Sequence, residues 1–589
     1  QDLKMLFDCS GAHLEIVRTF VEDANLQGIS SKALFAGQTE ALVTLLHRYL
    51  TETGFYGSGA EVILAAAAIC GQNIVEEEVV CITGAELSEV KRSIAAAMRW
   101  KLLEEEMGVP RFRHEITRHY FENSRRSERS GLHGTYAKCL QKMRPAEFGL
   151  HFTHLKKAGL IHEAGTAYCL WAIRAAVMHA TMDLPTLDWS SPPWHEVEYL
   201  GSALNDVLKA IDIYREGQYE IAYKHLSAIV EAVPDEILAE RDGLMAMCLL
   251  QSLVQEDRTA AAALLEPWRD QLQDASDTWV RLMMSLMFAQ VQLGLFTEAR
   301  QLEREVLRRL ERFRRRDEGV RHLLNRFQAA SCMLHASEIA IRRTERLIEE
   351  LEKLPPGEGY LESNTHFVAL SNASGLELAA GNYQKSVDYA ERALTLRGNA
   401  PSRRFQSFAP ALSNLLVAHA LAHPSQVENL VSIYEHTFEL RPEDEDSILF
   451  RNNQAGILIA AGRLEQANAL LTEDYLSMKN TPHCDGYFFY FTTQNLALSE
   501  YLAGATERAM ALLDEARERE GDLLPDCTSY LIQRHLYVRA IWESNPKLTL
   551  LEQNSLLTDM AEQQGKVGPS WSFFGRLPLF TSIEIWSLM

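Results

Sequence analysis

Apolar residues recur at helical intervals along most of the chain, and few stretches alternate as strands do. LEIVRTFVEDANL carries Leu14, Val17, Val21 and Leu26 on one helical stripe, and EALVTLLHRYL repeats the pattern. From Gly59 the texture changes. EVILAAAAICG predicts a helix of small residues, and IVEEEVVCITG a short extended piece followed by a helix. SEVKRSIAAAMRWKLLEEE predicts a third helix, with Ser88 placed to cap it. KLLEEEMGVPRFRH turns at Gly108 and Pro110 and predicts a two-stranded wing. Helices and a hairpin in this order form a winged-helix layout.

Further along, one phrase returns. Leu378-Ala-Ala-Gly381-Asn-Tyr383 reads as a helix end, a glycine turn and the start of a second helix, with Ser386, Ala390 and Ala393 small enough for close packing. Gly217, Gly294, Gly462 and Gly504 open similar phrases, and a small residue stands five places after each: Ala222, Ala299, Ala467 and Ala509. Glu256, His335 and His423 mark weaker copies at the midpoints, giving successive steps of 39, 38, 41, 46, 42, 39 and 42 residues. A period in this range predicts helical hairpins stacked in series. HFTHLKKAGLIHEAGTAYCLWAIRAA adds a capping hairpin at Gly159 and Ala164, and Pro185, Pro192 and Pro193 mark a linker or inserted loop before the array.

The phrase resembles the tetratricopeptide repeat, although only the copy at Gly217 keeps the closing proline, Pro234, and the step exceeds that repeat's usual length of about 34 residues. The expected fold is therefore all-α: a winged-helix domain followed by a tetratricopeptide-like α-solenoid of eight or nine hairpins. A chain of 589 residues is too long for one core.

Composition narrows the function. Fifty-eight basic against 80 acidic side chains leave a net charge of −22, which argues against broad nucleic-acid binding. No run of about twenty apolar residues predicts a membrane span. Nine scattered cysteines without a CxxC pair suit a reducing, cytoplasmic setting. The only Gly-Lys pair, Gly565-Lys566, precedes Val567 and lacks the upstream glycine of a phosphate-cradling loop. Neither a nucleophile motif nor a metal-ligand set stands out, so no catalysis, cofactor or metal is expected in this chain.

The order AAAAICG, ITG, SEVKRSIAAAMRWKLLEEE, RFRHEITRHYFENS and RSGLHGTYAKCL resembles the bacterial STAND signal-transduction ATPases. In that family a nucleotide-binding domain precedes a helical lid, a winged helix and a superhelical sensor. Arg113-His114-Glu115 stands where the family carries methionine-histidine-aspartate, keeping the histidine and the acid but not the methionine. Gly11-Ala12-His13 replaces the lid's glycine-x-proline. The resemblance implies a lid over residues 1–55, a winged helix over 56–145, a capping hairpin and linker over 146–200 and a sensor over 201–589. It further implies an ATP/ADP- and Mg-binding domain upstream of Gln1, with His114 sensing the β-phosphate. A protein ligand on the concave sensor surface would trigger self-oligomerisation and an effector, in antiphage defence or transcriptional control. The rival reading is a tetratricopeptide scaffold for protein–protein interaction without a nucleotide switch.

Candidate binding residues follow from charge and aromatic density. Residues 308–326 hold eight arginines, among them Arg308, Arg309, Arg312, Arg314, Arg315 and Arg316. They suit a partner's acidic surface or phosphates, or else form internal pairs with Glu311, Asp317 and Glu318. Tyr487 and Tyr490, within an aromatic run from 487 to 491, serve recognition or pack between repeats. Trp571, Phe573, Phe574, Phe580 and Trp586 suit a terminal cap. His114-Glu115 with His119 misses the HExxH spacing by one residue, and His151/His154 and His419/His423 pair on helix faces without a third ligand.

Overall fold

The structure is a computed structural model. It describes His47, Leu50, Thr51, Phe55 and residues 60–518, apart from 101, 107, 114, 126, 145–146, 178–183, 230–232, 253–254, 273–275, 294, 313–317, 332–337, 354–359, 380–381, 398–414, 416, 420–444, 461 and 482–485. The expectations on the lid motif Gly11-Ala12-His13, on His423 and on the C-terminal aromatics lie outside them. Among the described residues the chain is mostly helical, with 22 α-helices and a single two-stranded sheet. It divides into two compact units, Gln1–Tyr168 with Asp188–Glu198, and Cys169–Leu187 with Tyr199–Met589.

The first unit is built around α1 (Ala60–Cys70), which is buried from Ile63 to Ile69 and therefore apolar all round. Around it pack α2 (Glu76–Thr83), α3 (Leu87–Arg99), α4 (Glu115–Ser124) and α5 (Arg129–Met143). Helix α3 buries Val90, Ile94 and Ala97, spaced to fall on one face. Its N-cap is Glu86 rather than Ser88: Val90 N–H already donates to the Glu86 carbonyl at 3.1 Å, which places Ser88 inside the first turn. The hairpin follows, with β1 (Leu103–Glu106) antiparallel to β2 (Val109–Phe112) and Leu103 opposite Phe112. Gly108 turns it at φ 80°, and Arg111 crosses to Glu104 at 2.6 Å and to Glu106. Phe112 and Leu103 close the core against Phe121 and Phe55. Cys81 of α2 and Cys139 of α5 form a disulfide that ties the two helices together.

Two buried carboxylates tie this unit together. Glu78 accepts from Tyr136 Oη at 2.6 Å and pairs with Arg144 at 2.6 Å. Glu122, 5 % exposed, pairs with Arg118, Arg129 and Lys157, the last on α6 (Phe148–Ala158). Burial pushes Glu122 up, but Lys157, Arg129 and Arg118 outweigh it and hold its carboxyl at about 2. The histidine pair on α6 is buried; His154 Nδ1 lies 2.9 Å from His133 Nδ1. Desolvation and neighbouring Lys157 lower both rings, to about 3 and 4 respectively.

Helix α7 (Ile161–Val177) leads to the second unit, whose described residues are helical. They are α8 (Glu198–Arg215), α9 (Tyr219–Ser227), α10 (Asp235–Leu250), α11 (Gln255–Leu265), the single turn α12 (Trp268–Gln271), α13 (Asp277–Gln292), α14 (Phe296–Glu311), α15 (Glu318–Ser331), α16 (Glu338–Glu352), α17 (Tyr360–Ala379), α18 (Tyr383–Arg397), α19 (Glu445–Ala460), α20 (Leu464–Asn480), α21 (Gly486–Leu502) and α22 (Thr506–Glu518). Two runs of neighbouring helices pack in series: α10 on α11 and α13, α13 on α14 and α15, α15 on α16 and α17, and α17 on α18; then α19 on α20 and α21, α20 on α21, and α21 on α22.

The turns share one geometry. Gly217, Gly462 and Gly504 sit at φ 77°, 76° and 88°, the left-handed region that favours glycine. The N–H of the following residue reaches back five places, as Gln218 to Ile213 at 3.2 Å, Arg463 to Leu458 at 2.9 Å and Ala505 to Glu500 at 2.9 Å. Asn382 to Glu377 and Leu295 to Gln290 repeat that bond in copies whose glycines, Gly381 and Gly294, are outside the described residues. Ala222, Ala261, Ala299, Ala340, Ser386, Ala467 and Ala509 are all fully buried, so the small residue five places on is a packing requirement. At Ser386 the reason is visible: its hydroxyl donates to the Ser374 carbonyl at 2.8 Å while Ser374 Oγ donates to the Ser386 carbonyl at 2.9 Å. Only a small side chain lets α17 and α18 approach that closely. One predicted turn moves. Glu256 stands in the first turn of α11, the break falling just before Gln255. His335 lies outside the described residues, between α15 and α16.

Side chains couple neighbouring hairpins at the same spacing. Thr278 donates to Glu240 across 38 residues, Asn372 to the Ala329 carbonyl across 43, Tyr475 to Glu515 across 40 and Asn495 to Asn452 across 43. Among the described residues no helix is long and apolar enough to cross a membrane.

Candidate functional site

The arginine-rich end of α14 borders a cavity of about 600 Å³, lined by Asp270, Gln301, Glu305, Arg308, Arg309 and Arg312. Helix α14 explains the arrangement. Ala299, Leu302, Val306 and Leu310 form its buried stripe, while Gln301, Glu305, Arg308 and Arg312 recur at spacings that place them along one flank.

Beneath the cavity Trp279 of α13 is fully buried. Its indole N–H donates to the Arg269 carbonyl at 3.0 Å, fixing α12 against α13. The Arg309 guanidinium lies 5.0 Å from the centre of the Trp279 ring, a cation–π contact. Glu305 holds Arg309 at 2.5 Å and accepts from Arg269 Nε at 3.0 Å. Burial pushes Glu305 up, but Arg269 and Arg309 outweigh it and keep the carboxyl below its ordinary range. The hydrogen bond to Glu305 raises Arg269 further. Asp270, 3.9 Å from Arg309, projects into solvent.

The two readings of the arginine run are thus divided between residues. Arg309 is engaged in internal pairing, with Glu305 as a partner one turn earlier on the same helix. Arg308 and Arg312 are exposed, line the cavity and make no ion pair among the described residues. Arg314, Arg315 and Arg316 lie outside the described residues, as does His114. Tyr487 and Tyr490 fall on α21, with their side chains outside the described set; their neighbour Phe489 is fully buried, 5.7 Å from the Tyr475 ring.

Sequence reasoning missed Arg269, Asp270, Trp279 and Gln301. Glu305 and Arg309 were findable, because an i, i+4 pair of opposite charge on one helix is a recognisable signal. The contribution of α12 was not, since Arg269 meets Glu305 across 36 residues. Chemically the site offers two exposed guanidinium forks, one braced guanidinium, an amide and two carboxylates, which suits recognition of a polar anion. Among the described residues no three His, Cys, Asp or Glu side chains converge on a metal position. No protein-family model matches the chain, and no curated protein matches it in sequence.

Proposed function

We propose that this chain is the regulatory, ligand-sensing region of a STAND-type signal-transduction ATPase. In this reading residues 56–145 are the winged helix and the hairpins of the second unit are a tetratricopeptide-like solenoid. The observation that carries it is the pairing of two different constructions in one chain. A helical unit with a single two-stranded sheet among the described residues precedes helical hairpins that pack on neighbouring hairpins, the architecture used for extended binding surfaces. The chain itself performs no chemistry in this account. A nucleotide-binding domain upstream supplies ATP or ADP with Mg, His114 faces the β-phosphate, and ligand on the array favours an open state that self-associates to activate an effector. The output is antiphage defence or transcriptional control, in the cytoplasm.

The test uses the full-length protein. It should purify with bound ADP, and His114→Ala should release that nucleotide and raise basal oligomerisation. A full-length chain without a phosphate loop, or one that holds no nucleotide, refutes the switch. The array would then be read as an interaction scaffold, a role its stacked hairpins also fit.

A further inference from the structure

We infer that the cavity beside α14 is a binding site for a small phosphorylated molecule. This deepens the sensor reading by naming a ligand class, and it rests on that reading only for its regulatory consequence; the binding itself stands on the cavity.

Three features select the ligand. First, charge: Arg308 and Arg312 present exposed guanidinium groups one helical turn apart, on a chain whose net charge is −22. Among the described residues neither arginine makes an ion pair, so both guanidinium groups face the cavity uncompensated. A phosphate monoester carries close to two negative charges and three acceptor oxygens, enough to engage both forks at once. A single carboxylate is the weaker match, because the braced third arginine, Arg309, already holds one in Glu305.

Second, the lining excludes other classes. Among the described residues the lining is Asp270, Gln301, Glu305 and three arginines, all polar or charged, which favours a polar ligand over a hydrophobic one. The Trp279 ring is fully buried against Arg309 and closed to stacking by a ligand. The carboxylate of Asp270 and the amide of Gln301 suit hydroxyl groups on the remainder of the molecule. Third, size: about 600 Å³ lies within the range of small-molecule pockets rather than of a surface for an extended chain.

The floor is preorganised. Glu305 is held by Arg269 and Arg309, and Arg309 is stacked on Trp279, so no rearrangement of these groups is needed before a ligand meets Arg308 and Arg312. That bracing also explains why both carboxylates near the cavity are tolerated by an anion: Glu305 is already neutralised, and Asp270 stands at the open side.

The experiment is calorimetric titration of this chain with inorganic phosphate, glycerol 3-phosphate, glycerol and a phosphoserine peptide, at low and high salt. Glycerol 3-phosphate should bind more tightly than phosphate, glycerol should not bind, and affinity should fall with salt. Arg308→Ala/Arg312→Ala should weaken glycerol 3-phosphate by at least about tenfold, with Arg308→Lys/Arg312→Lys intermediate because a point charge cannot replace the fork. Both positions are exposed, and unchanged circular dichroism would show the variants folded. Absence of binding to any phosphorylated probe overturns the proposal, as does binding that the double alanine variant leaves unchanged. Tighter binding of the peptide than of glycerol 3-phosphate overturns the small-molecule assignment. Nucleotide retention by the full-length protein is read separately, so a failed cavity and a failed switch give different results.

Discussion

Arg281 stands at the centre of a buried charge cluster, and its replacement gives a quantitative test of how the hairpins are held together. Its guanidinium pairs with Glu240 on the preceding hairpin and donates to Asp277 Oδ2 at 2.9 Å, and the two carboxylates are 1 % and 0 % exposed. Arg174 lies 3.4 Å from Asp277 Oδ1, so Asp277 keeps a cation when Arg281 is removed. Among the described residues Glu240 then keeps the Thr278 hydroxyl, at 2.6 Å. Stranding a buried carboxylate costs about 3–5 kcal/mol, and the remaining hydroxyl places Arg281→Met near the lower end, about 3 kcal/mol. Replacing the charge as well should recover most of that. Arg281→Met/Glu240→Leu is expected within about 1–2 kcal/mol of wild type, a coupling of about 2 kcal/mol or more after allowance for the Glu240→Leu single. Urea unfolding followed by tryptophan fluorescence is a suitable assay, because Trp279 is buried in the same helix as Arg281. A single-variant loss below about 1 kcal/mol, or simple additivity in the cycle, would refute the claim that this cluster carries the contact between α10 and α13.

Gly462→Ala and Gly504→Ala should each cost about 1 kcal/mol, since both glycines have left-handed backbones, whereas Gly131→Ala, inside α5 with open space around it, should gain about 0.5–1 kcal/mol. Thermal melts compare the three, and equal effects would remove the distinction. Glu122, lowered from an ordinary 4.5 to about 2, confers stability above pH 4.5 that is lost as pH falls toward 2. With solvent screening of its partners allowed for, about 1–2 kcal/mol is at stake, and Glu122→Gln should flatten the melting-temperature slope in that window; an unchanged slope would refute it. Ala467→Leu should destabilise by about 1–3 kcal/mol through overpacking, while the same change at exposed Ala469 should be near neutral by chemical denaturation.

The repeat was legible because one geometric need recurs at one sequence position. A left-handed turn calls for glycine, and the close approach five residues later calls for alanine or serine, so both survive as a pattern. The pattern failed at Glu256 because the buried Ala261 is retained while the helix begins three residues earlier than in the glycine copies, a shift that spacing alone cannot reveal. Ser88 misled for a related reason. A good capping residue is a local preference, and the extended backbone at Glu86 had already started the helix. The Cys81–Cys139 bond joins positions 58 residues apart, with no local motif to announce it. At the candidate site, the arginines declared themselves by density. Which of them stay exposed depends on Trp279 and Glu305, contacts set by the packing of α12, α13 and α14.

The same contacts give the proposed ligand site a mechanical consequence. Arg308 belongs to α14 and Arg312 caps its C-terminus, whereas Asp270 belongs to α12, and Arg269–Glu305 and Arg309–Asp270 link these elements. A ligand held by both sides adds a further link between the same pair. It can shift a conformational equilibrium only if the α12–α14 separation differs between states, because equal affinity for two states shifts neither. In an array of neighbour contacts, that shift passes next to α13, through Trp279, and from α13 to α10 and α15. Glu240, Asp277 and Arg281 occupy the first of those interfaces, α10 against α13. A buried, charge-paired interface therefore stands one element removed from the cavity, where displacement of α13 would be resisted and passed on to the preceding hairpin.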